Sequence, residues 1–319
     1  MKRIISIMVL MCLVFSMAIS AAAIDVKDSE KLTYSDEETG VDLPYRLVLP
    51  ANYDPKYLFQ LVVFFHGAGE RGMENEKNIE NCIQDIADHM PKAIILVPQC
   101  SHMDQWVDTP WAEGCYSVDE VEESDDMQAV MNLIQEITET YSVDKNTIYA
   151  MGYSMGGFAV WDAMVRHNDV FAAGVAVCGG GDPSKAEVLK DTPMFVFHGT
   201  ADATVPVSGS SDTVNAIVAA GGTKVVYEEL AGSGHGIWGQ VFAREDLYAK
   251  IKNCKLTDRY PDIFDVKEDV DETQPADDLL YYILAGVGVV LVALIVVLVV
   301  CNKKRKKAKP EETENTDTN

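Results

Sequence analysis

Basic residues are scarce in this 319-residue chain: 26 lysines and arginines stand against 50 aspartates and glutamates, which gives a formal net charge of −24 at pH 7. A negative field of this size repels other polyanions. Nucleic acids and polyanionic polymers are therefore poor partners, and we expect no nucleic acid to bind. The alternative interpretation is an acidic exterior that serves only solubility.

Cysteine is also sparse, and no C-x-x-C pair occurs among the seven. Cys12 and Cys301 belong to the two terminal segments, so five remain, an odd number that argues against a disulfide scaffold. Cys100 and Cys115 could bridge a loop, whereas at least three of the five are expected to be buried free thiols. The chain contains no metal-ligand cluster, phosphate-binding loop or dinucleotide fingerprint, so neither a metal nor a cofactor is expected. The five cysteines are Cys82, Cys100, Cys115, Cys178 and Cys254.

Both ends of the chain carry long apolar runs. Residues 1–23 combine a positive start, an apolar centre and a small-residue exit, which is typical of a secretory signal peptide. Residues 279–300 contain no charge, and at about 1.5 Å per residue they would span roughly 33 Å, enough for a bilayer core. The basic block 303–307 follows at once and marks a cytoplasmic side.

These features predict the order of the domains. We expect a signal peptide at 1–23, a catalytic domain at 24–260, an acidic stalk at 261–278, a transmembrane helix at 279–300 and a basic cytoplasmic tail at 301–319. The protein would then be a single-pass protein of the cell membrane with its catalytic domain outside the cell and its C-terminus in the cytoplasm. A buried core helix at 279–300 is the alternative, and the adjacent basic block argues against it.

Between these ends, short apolar runs alternate with helical patterns, which favours an α/β fold with a doubly wound, mostly parallel sheet. An N-terminal antiparallel hairpin is predicted over 31–49, with its turn near Gly40. Further strands are predicted at 61–65, 93–97, 147–151, 172–177, 194–197 and 224–228, and helices at 75–90, 124–141, 157–166, 211–220 and 243–252.

The most informative stretch is Gly152-Tyr153-Ser154-Met155-Gly156, which follows an apolar run and precedes a helical segment. This strand, turn and helix context is that of a nucleophile elbow, in which glycines on either side let the backbone turn sharply beneath an exposed serine. An ordinary glycine-rich turn is the alternative interpretation. Three more stretches argue against it, because each has the place along the chain that such an elbow requires. His66-Gly67-Ala68-Gly69-Glu70 follows an earlier buried strand, and after Ser154 come an aspartate, Asp202, behind another buried strand and His235 between glycines.

This set of motifs resembles the α/β-hydrolase superfamily, within its serine esterase and prolyl-oligopeptidase-like group, which includes feruloyl-esterase-like, polyhydroxybutyrate-depolymerase-like and "predicted peptidase" members. The resemblance covers roughly Leu43 to Lys252. It implies that Ser154 is the nucleophile, His235 the general base and Asp202 the residue that orients the base. Asp182 is the alternative candidate for the aspartate that orients the base, but its place before a proline is typical of a residue that only fixes a loop conformation.

The same resemblance implies an oxyanion hole made by the backbone N–H groups of Met155 and of Ala68 or its neighbour Gly67. His66 is expected to brace this loop. The adjacent Glu70 and Arg71 could pair with each other or steer a substrate.

Tryptophans near these motifs are candidate substrate contacts, since aromatic rings stack on sugars and phenolic groups. Packing is the alternative for each of them. We predict that Trp106 and Trp238 contact the substrate, and for Trp111 the packing role is favoured.

The terminal segments and the resemblance together predict an extracellular, membrane-anchored serine hydrolase that cleaves carboxylic esters through an acyl-enzyme. The resemblance alone implies the substrates, which are small-molecule or polysaccharide-linked esters such as feruloyl or acetyl esters. A serine peptidase acting on short peptides is one alternative, and a non-catalytic surface binding module is another. If an imidazole is the base, the rate should rise with pH near 6.5, where a histidine ordinarily loses its proton.

Overall fold

One eight-stranded sheet forms the centre of the molecule, as seen in a computed structural model that describes residues 25–264. Its strands lie in the order β1-β2-β4-β3-β5-β6-β7-β8. The hairpin β1–β2 and the pair β2–β4 are antiparallel, and all other neighbours are parallel. The strands are β1 (Lys31–Ser35), β2 (Asp42–Val48), β3 (Phe59–Phe65), β4 (Ala93–Pro98), β5 (Val143–Tyr153), β6 (Ala173–Val177), β7 (Met194–Gly199) and β8 (Val225–Leu230). The predicted mostly parallel sheet with an antiparallel start is confirmed.

Seven α-helices are described, five between these strands and two after β8. They are α1 (Ile83–His89), α2 (Asp125–Thr140), α3 (Met155–Arg166), α4 (Ala186–Leu189), α5 (Ser208–Ala219), α6 (Trp238–Phe242) and α7 (Glu245–Ile251). Within residues 25–264, no helix is both long enough and apolar enough to cross a membrane. The predicted signal peptide, transmembrane helix and tail, and the stalk beyond residue 264, lie outside the described residues.

The central strands read as continuous apolar runs because helices cover both faces of the sheet. On β3, Leu61, Val63 and Phe65 face one core, and Val62 and Phe64 face the other. Helices α2, α3, α4 and α5 close the first core, whereas α1, α6 and α7 close the second. Burial of each such side chain contributes about 1.5–3 kcal/mol to stability. Because successive side chains point to opposite faces of the strand, both faces of the sheet must be covered by helices to gain this contribution.

The start of α2 shows how the sequence sets a helix boundary. The Ser124 side chain accepts a hydrogen bond from the Met127 N–H and thereby caps the first turn. The apolar residues of this helix recur at helical spacing and form one stripe, in which Met131 is partly exposed and the others are buried: Met127, Val130, Ile134 and Ile137. The predicted helix therefore forms where its cap and stripe place it.

The helix predicted at 75–90 is much shorter in the structure. Asn75 is buried with a positive φ of 56°, and its side chain donates to the carbonyls of Leu32 and Tyr45 instead of starting a helix. Cys82 also has a positive φ, 65°, so α1 begins only at Ile83. The helix predicted at 243–252 is confirmed as α7, and the short helix α6 that precedes it was not predicted.

All five cysteines within the described residues are free thiols, so the possible bridge between Cys100 and Cys115 does not form. Cys100 is instead buried against Asp126, to which its thiol donates. Only Cys100 and Cys178 are fully buried, and the other three are partly exposed, fewer buried thiols than the sequence led us to expect.

Candidate active site

The tight turn between β5 and α3 carries Ser154 in a strained backbone conformation, with φ 55° and ψ −124°. Such a conformation costs of order 1–3 kcal/mol and persists only where the surroundings enforce it. Here the Ser154 N–H donates to the Val177 carbonyl at 2.8 Å. A Cβ added to Gly152 or Gly156 would overlap the carbonyl oxygen of Gly156 or of Phe65, respectively, so both positions require glycine. The residues around Ser154 therefore hold the hydroxyl at the carboxyl edge of the sheet.

A continuous hydrogen-bonded relay joins the three side chains predicted from the motifs. His235 Nε2 lies 2.7 Å from Ser154 Oγ, and His235 Nδ1 lies 2.6 Å from Asp202 Oδ2. Because the carboxylate can only accept, Nδ1 carries the hydrogen and Nε2 is free to accept the serine proton. The structure thus brings together residues that are far apart in the sequence, in the arrangement that proton transfer from a serine requires.

The Asp202 carboxylate is held ionised although its side chain is fully buried. Burial by itself raises its pKa, but hydrogen bonds from His235 and from the N–H groups of Val205 and Thr204 lower the pKa below its usual value. The two backbone donors meet Oδ1 at 3.0 and 2.8 Å, which leaves Oδ2 for His235. The carboxylate is therefore both charged and fixed in direction.

The rival acid, Asp182, lies in a different set of contacts. Its carboxylate accepts hydrogen bonds from the N–H groups of Val118 and Ser184, each at 2.8 Å, and caps a short turn. This is the loop constraint expected of an aspartate before a proline. The histidine of the relay is bonded to Asp202.

The loop after β3 lies beside the elbow, since Gly67 packs against the Tyr153 ring so closely that a Cβ there would overlap it. His66 is fully buried beneath the loop: its Nδ1 donates to the Gly67 carbonyl at 2.6 Å and its Nε2 accepts from the Cys100 N–H at 3.0 Å. Burial lowers the pKa of His66 to about 4, so its ring is neutral at pH 7. His66 is thus placed to brace the loop.

Two backbone N–H groups at this point are available to a ligand. Within residues 25–264, neither the Ala68 N–H nor the Met155 N–H donates to another protein atom. Met155 is the first residue of α3, whose N-terminal end favours negative charge.

Trp106 does not have the position predicted for it. It is completely buried, its N–H donates to the His66 carbonyl at 3.1 Å, and its ring packs against Phe65 and His66. The predicted substrate contact is therefore corrected to a packing role beneath the loop. Trp111 is partly exposed and lies against the Arg71 guanidinium.

Trp238 is partly exposed and lies next to the relay. Its ring stacks on Tyr153 with centroids 4.5 Å apart and meets the His235 ring edge-on at 5.7 Å. It is therefore placed where it could contact a substrate, and at the same time it packs the histidine.

Glu70 and Arg71 do not pair with each other. Arg71 donates to the carbonyls of Ala68 and Asp104, whereas Glu70 accepts from Asn81. The arginine therefore ties the loop after β3 to the segment that follows β4.

Sequence reasoning missed two buried residues beside Asp202. Cys178, which has a positive φ of 49°, places its sulfur within 4.8 Å of ligand atoms of Asp202 and His235. His198 places Nε2 3.2 Å from Asp202 Oδ2. The sulfur, carboxylate and imidazole have metal-ligand chemistry, but the last two already bond to each other. The only sequence signal for His198 is its place four residues before the aspartate, at the end of a buried strand.

The family model described as Phospholipase/Carboxylesterase (Abhydrolase_2) matches residues 55–253, more than half of the chain. The crystal structure of a thermostable esterase is similar at 31% sequence identity and a TM-score of 0.65, covering 72% of this chain and 64% of that one.

Two curated relatives share shorter stretches. A bifunctional acetylxylan esterase/xylanase, XynS20E, from Neocallimastix patriciarum is 33% identical over 86 residues, 26% of this chain and 12% of that protein. Feruloyl esterase B from Piromyces equi is 34% identical over 100 residues, 29% of this chain and 18% of that protein. The alignments therefore span less than a fifth of either relative's length.

A ferulic acid esterase from Anaeromyces mucronatus, solved with ferulic acid, shares the fold with a TM-score of 0.52 at 14% identity, covering 73% of this chain and 92% of that one. These findings confirm the resemblance drawn from the motifs: the chain belongs to the phospholipase/carboxylesterase family of α/β-hydrolases.

Proposed function

We propose that this protein is a serine hydrolase that cleaves carboxylic esters through an acyl-enzyme. The observation that carries the proposal is the relay from Asp202 through His235 to Ser154 Oγ, with contacts of 2.6 and 2.7 Å. A serine hydroxyl is a weak nucleophile at neutral pH and needs a base within hydrogen-bond reach. The membership of the chain in a carboxylesterase family supports the same chemistry.

The first half of the reaction forms the acyl-enzyme. Ser154 Oγ attacks the ester carbonyl carbon while its proton passes to His235 Nε2, and the carbonyl oxygen becomes an oxyanion. The N–H groups of Ala68 and Met155 would donate to that oxyanion, and such preorganised donors often supply the largest single stabilisation. Collapse of the intermediate breaks the bond to the alcohol, which takes the proton from His235 as it leaves.

The second half releases the acid. Water attacks the acyl carbon and gives a proton to His235 Nε2, and the new tetrahedral intermediate expels Ser154 Oγ, which recovers that proton. Asp202 keeps its charge throughout and stabilises the imidazolium that forms in both halves. No cofactor or metal takes part in these steps.

For the substrate, we favour acyl esters linked to small molecules or polysaccharides, such as feruloyl or acetyl esters. The names of the two curated relatives support this class, since one is an acetylxylan esterase/xylanase and the other a feruloyl esterase. Trp238, partly exposed beside His235, could stack on a phenolic or sugar ring.

We place the hydrolase outside the cell on a membrane anchor. The support is in the sequence: a signal-like segment at 1–23, an uncharged run at 279–300 and basic residues directly after it. Protease treatment of intact cells that express the full chain with a C-terminal tag should remove the hydrolase domain and leave the tag. Protection of the domain under these conditions would contradict the extracellular location.

The activity is tested with the full chain purified in detergent and a panel of 4-nitrophenyl acetate and butyrate, methyl ferulate, acetylated xylan and aminoacyl 4-nitroanilides. We expect kcat/KM to be higher for the esters than for the amides, and turnover to be lost in Ser154→Ala but kept in Ser35→Ala, which changes an exposed serine on β1. Faster amide turnover would favour the peptidase, and a folded wild type without any turnover would favour a binding module.

A further inference from the structure

His198 is a second histidine beside Asp202, and the proposed reaction makes no use of it. It lies near the end of β7, is completely buried and places its two ring nitrogens among polar atoms. Nε2 lies 3.1 Å from the Val205 carbonyl oxygen and 3.2 Å from Asp202 Oδ2. Nδ1 lies 2.8 Å from Ser210 Oγ.

The surroundings decide where the ring carries its hydrogen. A carbonyl oxygen and a carboxylate oxygen can only accept, so Nε2 must be protonated and its hydrogen is shared between Val205 and Asp202. Burial lowers the pKa of His198, which favours the neutral ring with that single hydrogen on Nε2. His198 is thus a donor fixed in direction.

The two acceptors of this hydrogen belong to one small loop. The Val205 N–H donates to Asp202 Oδ1 at 3.0 Å, while the Val205 carbonyl and Asp202 Oδ2 both face His198. One imidazole therefore holds the carboxylate directly and also holds the backbone that orients it.

The other side of the ring reaches toward the nucleophile. Ser210 Oγ lies between His198 Nδ1 and the Gly179 carbonyl oxygen, 2.9 Å from the latter, and its one hydrogen can be donated to either acceptor. Because Nδ1 is unprotonated, the bond to His198 requires that hydrogen, and Gly179 then lies in contact with the hydroxyl. Gly179 in turn packs on the Gly157 backbone in the first turn of α3 so closely that a Cβ at Gly179 would overlap it. A chain of contacts thus runs from Asp202 to the helix that begins directly after Ser154.

We propose that His198 is a positioning residue that fixes the direction and basicity of the Asp202 carboxylate toward His235. This inference rests on the proposed hydrolase function, because it assigns Asp202 the role of orienting the base. The titratable groups that face the carboxylate are His198, His235 and the Cys178 thiol. Without the His198 donor, more of the negative charge on Asp202 would act on His235, so the imidazolium would persist to higher pH.

The test compares His198→Met, which removes the donor in a side chain of similar size, with His198→Gln, whose amide N–H can occupy the position of Nε2. For each variant, kcat/KM on 4-nitrophenyl butyrate is measured from pH 5 to 9 and divided by the fraction of sites that a fluorophosphonate labels. We expect His198→Met to lose about tenfold per labelled site, the effect of one hydrogen bond to a charged group. The acidic limb of its pH–rate profile should move to higher pH. His198→Gln should restore most of the lost activity and most of the wild-type position of that limb.

Three results would overturn the inference: wild-type rates and pH profile per labelled site in His198→Met, a loss without any movement of the acidic limb, or an equal loss in His198→Gln. His89→Gln on α1 is the matched control and should leave both readouts unchanged. If His198→Met does not fold, Ser210→Ala replaces it, since loss of the Nδ1 partner should move the limb in the same direction by a smaller amount. An unmoved limb in that variant would also contradict the inference.

Failure of the proposed function has a different signature. A folded wild type that neither hydrolyses esters nor reacts with the fluorophosphonate defeats the hydrolase proposal whatever the variants do. A wild type that is active and labelled, beside a His198→Met variant identical to it, defeats only the role of His198.

Discussion

Two glycine-rich segments carry Ser154 and His235, and they use glycine in different ways. At the elbow, a Cβ on Gly152 or Gly156 would run into backbone carbonyl oxygens. In the loop that carries His235, a Cβ on Gly234 or Gly236 would meet its nearest atom only at 3.9 or 3.8 Å. The elbow therefore requires glycine sterically, whereas the base loop tolerates more.

What fixes the base loop is hydrogen bonding. The Ala201 N–H donates to the Ser233 carbonyl at 2.9 Å, the Gly232 N–H donates to Thr200 Oγ1 at 2.8 Å, and His235 itself is held by Asp202. Backbone packing thus sets the position of Ser154. The position of His235 is set by polar contacts with the loop that carries Asp202, residues 200–205, which we call the acid loop. Changes at the elbow should act on folding, and changes in the acid loop should act on catalysis.

The largest expected effect is that of Asp202→Asn on catalysis. The asparagine Oδ1 can still accept from Thr204 and Val205, but its NH₂ would face His235 Nδ1 and favour the wrong tautomer. We expect kcat/KM to fall about 10⁴-fold with the fold retained. Steady-state kinetics with thermal unfolding on the same samples checks this, and a loss of activity that merely follows unfolding would break the distinction between the two segments.

The next effect is on folding, from Gly156→Ala. Its new Cβ would overlap the Phe65 carbonyl oxygen, and because the backbone must move to relieve this overlap, we expect the free energy of unfolding to drop by about 3 kcal/mol. Gly236→Ala is the matched control and should change that free energy by no more than about 0.5 kcal/mol. Equal losses in urea denaturation would show that the two glycine segments do not differ.

A third effect concerns pH and the loop beside the elbow. The pKa of His66 is lowered by burial to about 4, so between about 6.5 and 4 the unfolded chain binds a proton that the folded protein excludes. Stability therefore rises with pH in this window, and His66 accounts for a loss of about 3 kcal/mol as pH falls from 7 to 4. Urea denaturation at several pH values should show a smaller dependence in His66→Gln, and an unchanged dependence would contradict the buried neutral ring.

The smallest effect is the link between the segments through Trp238 and Tyr153. Their stacked rings join the base loop to the elbow, and such pairs contribute about 0.5–1.5 kcal/mol beyond the area they bury. A double-mutant cycle with Trp238→Leu and Tyr153→Leu should give a coupling of about 1 kcal/mol in the free energy of unfolding. Strict additivity would mean that the two segments are held independently.

The sequence predicted the sheet well because its strands are buried on both faces. Runs such as 61–65 and 194–197 are apolar throughout, and the structure extends them only to Phe59–Phe65 and Met194–Gly199. Helix prediction failed where side chains act on distant backbone. Asn75 binds carbonyls on β1 and β2, 43 and 30 positions away, and no local pattern could reveal that.

The residues of the site also differ in whether local sequence could predict their position. Ser154, Asp202 and His235 lie in loops after strands or between glycines, so their motifs could be recognised locally, and the structure brings their side chains together. Trp106 and His198 are decided by long-range packing. Trp106 is buried against His66 from 40 positions away, and His198 depends on Ser210 in a helix that follows. Position along the chain gave no measure of either environment.

The central claim is that Ser154 is activated by His235, and active-site labelling tests it most directly. The full chain is incubated with a fluorophosphonate, digested and analysed by mass spectrometry, alongside Ser154→Ala and His235→Ala. We predict a single adduct, on the peptide that contains Ser154, in the wild type and none in either variant. An adduct on a different serine, or labelling of Ser154 at the wild-type rate in His235→Ala, would contradict it.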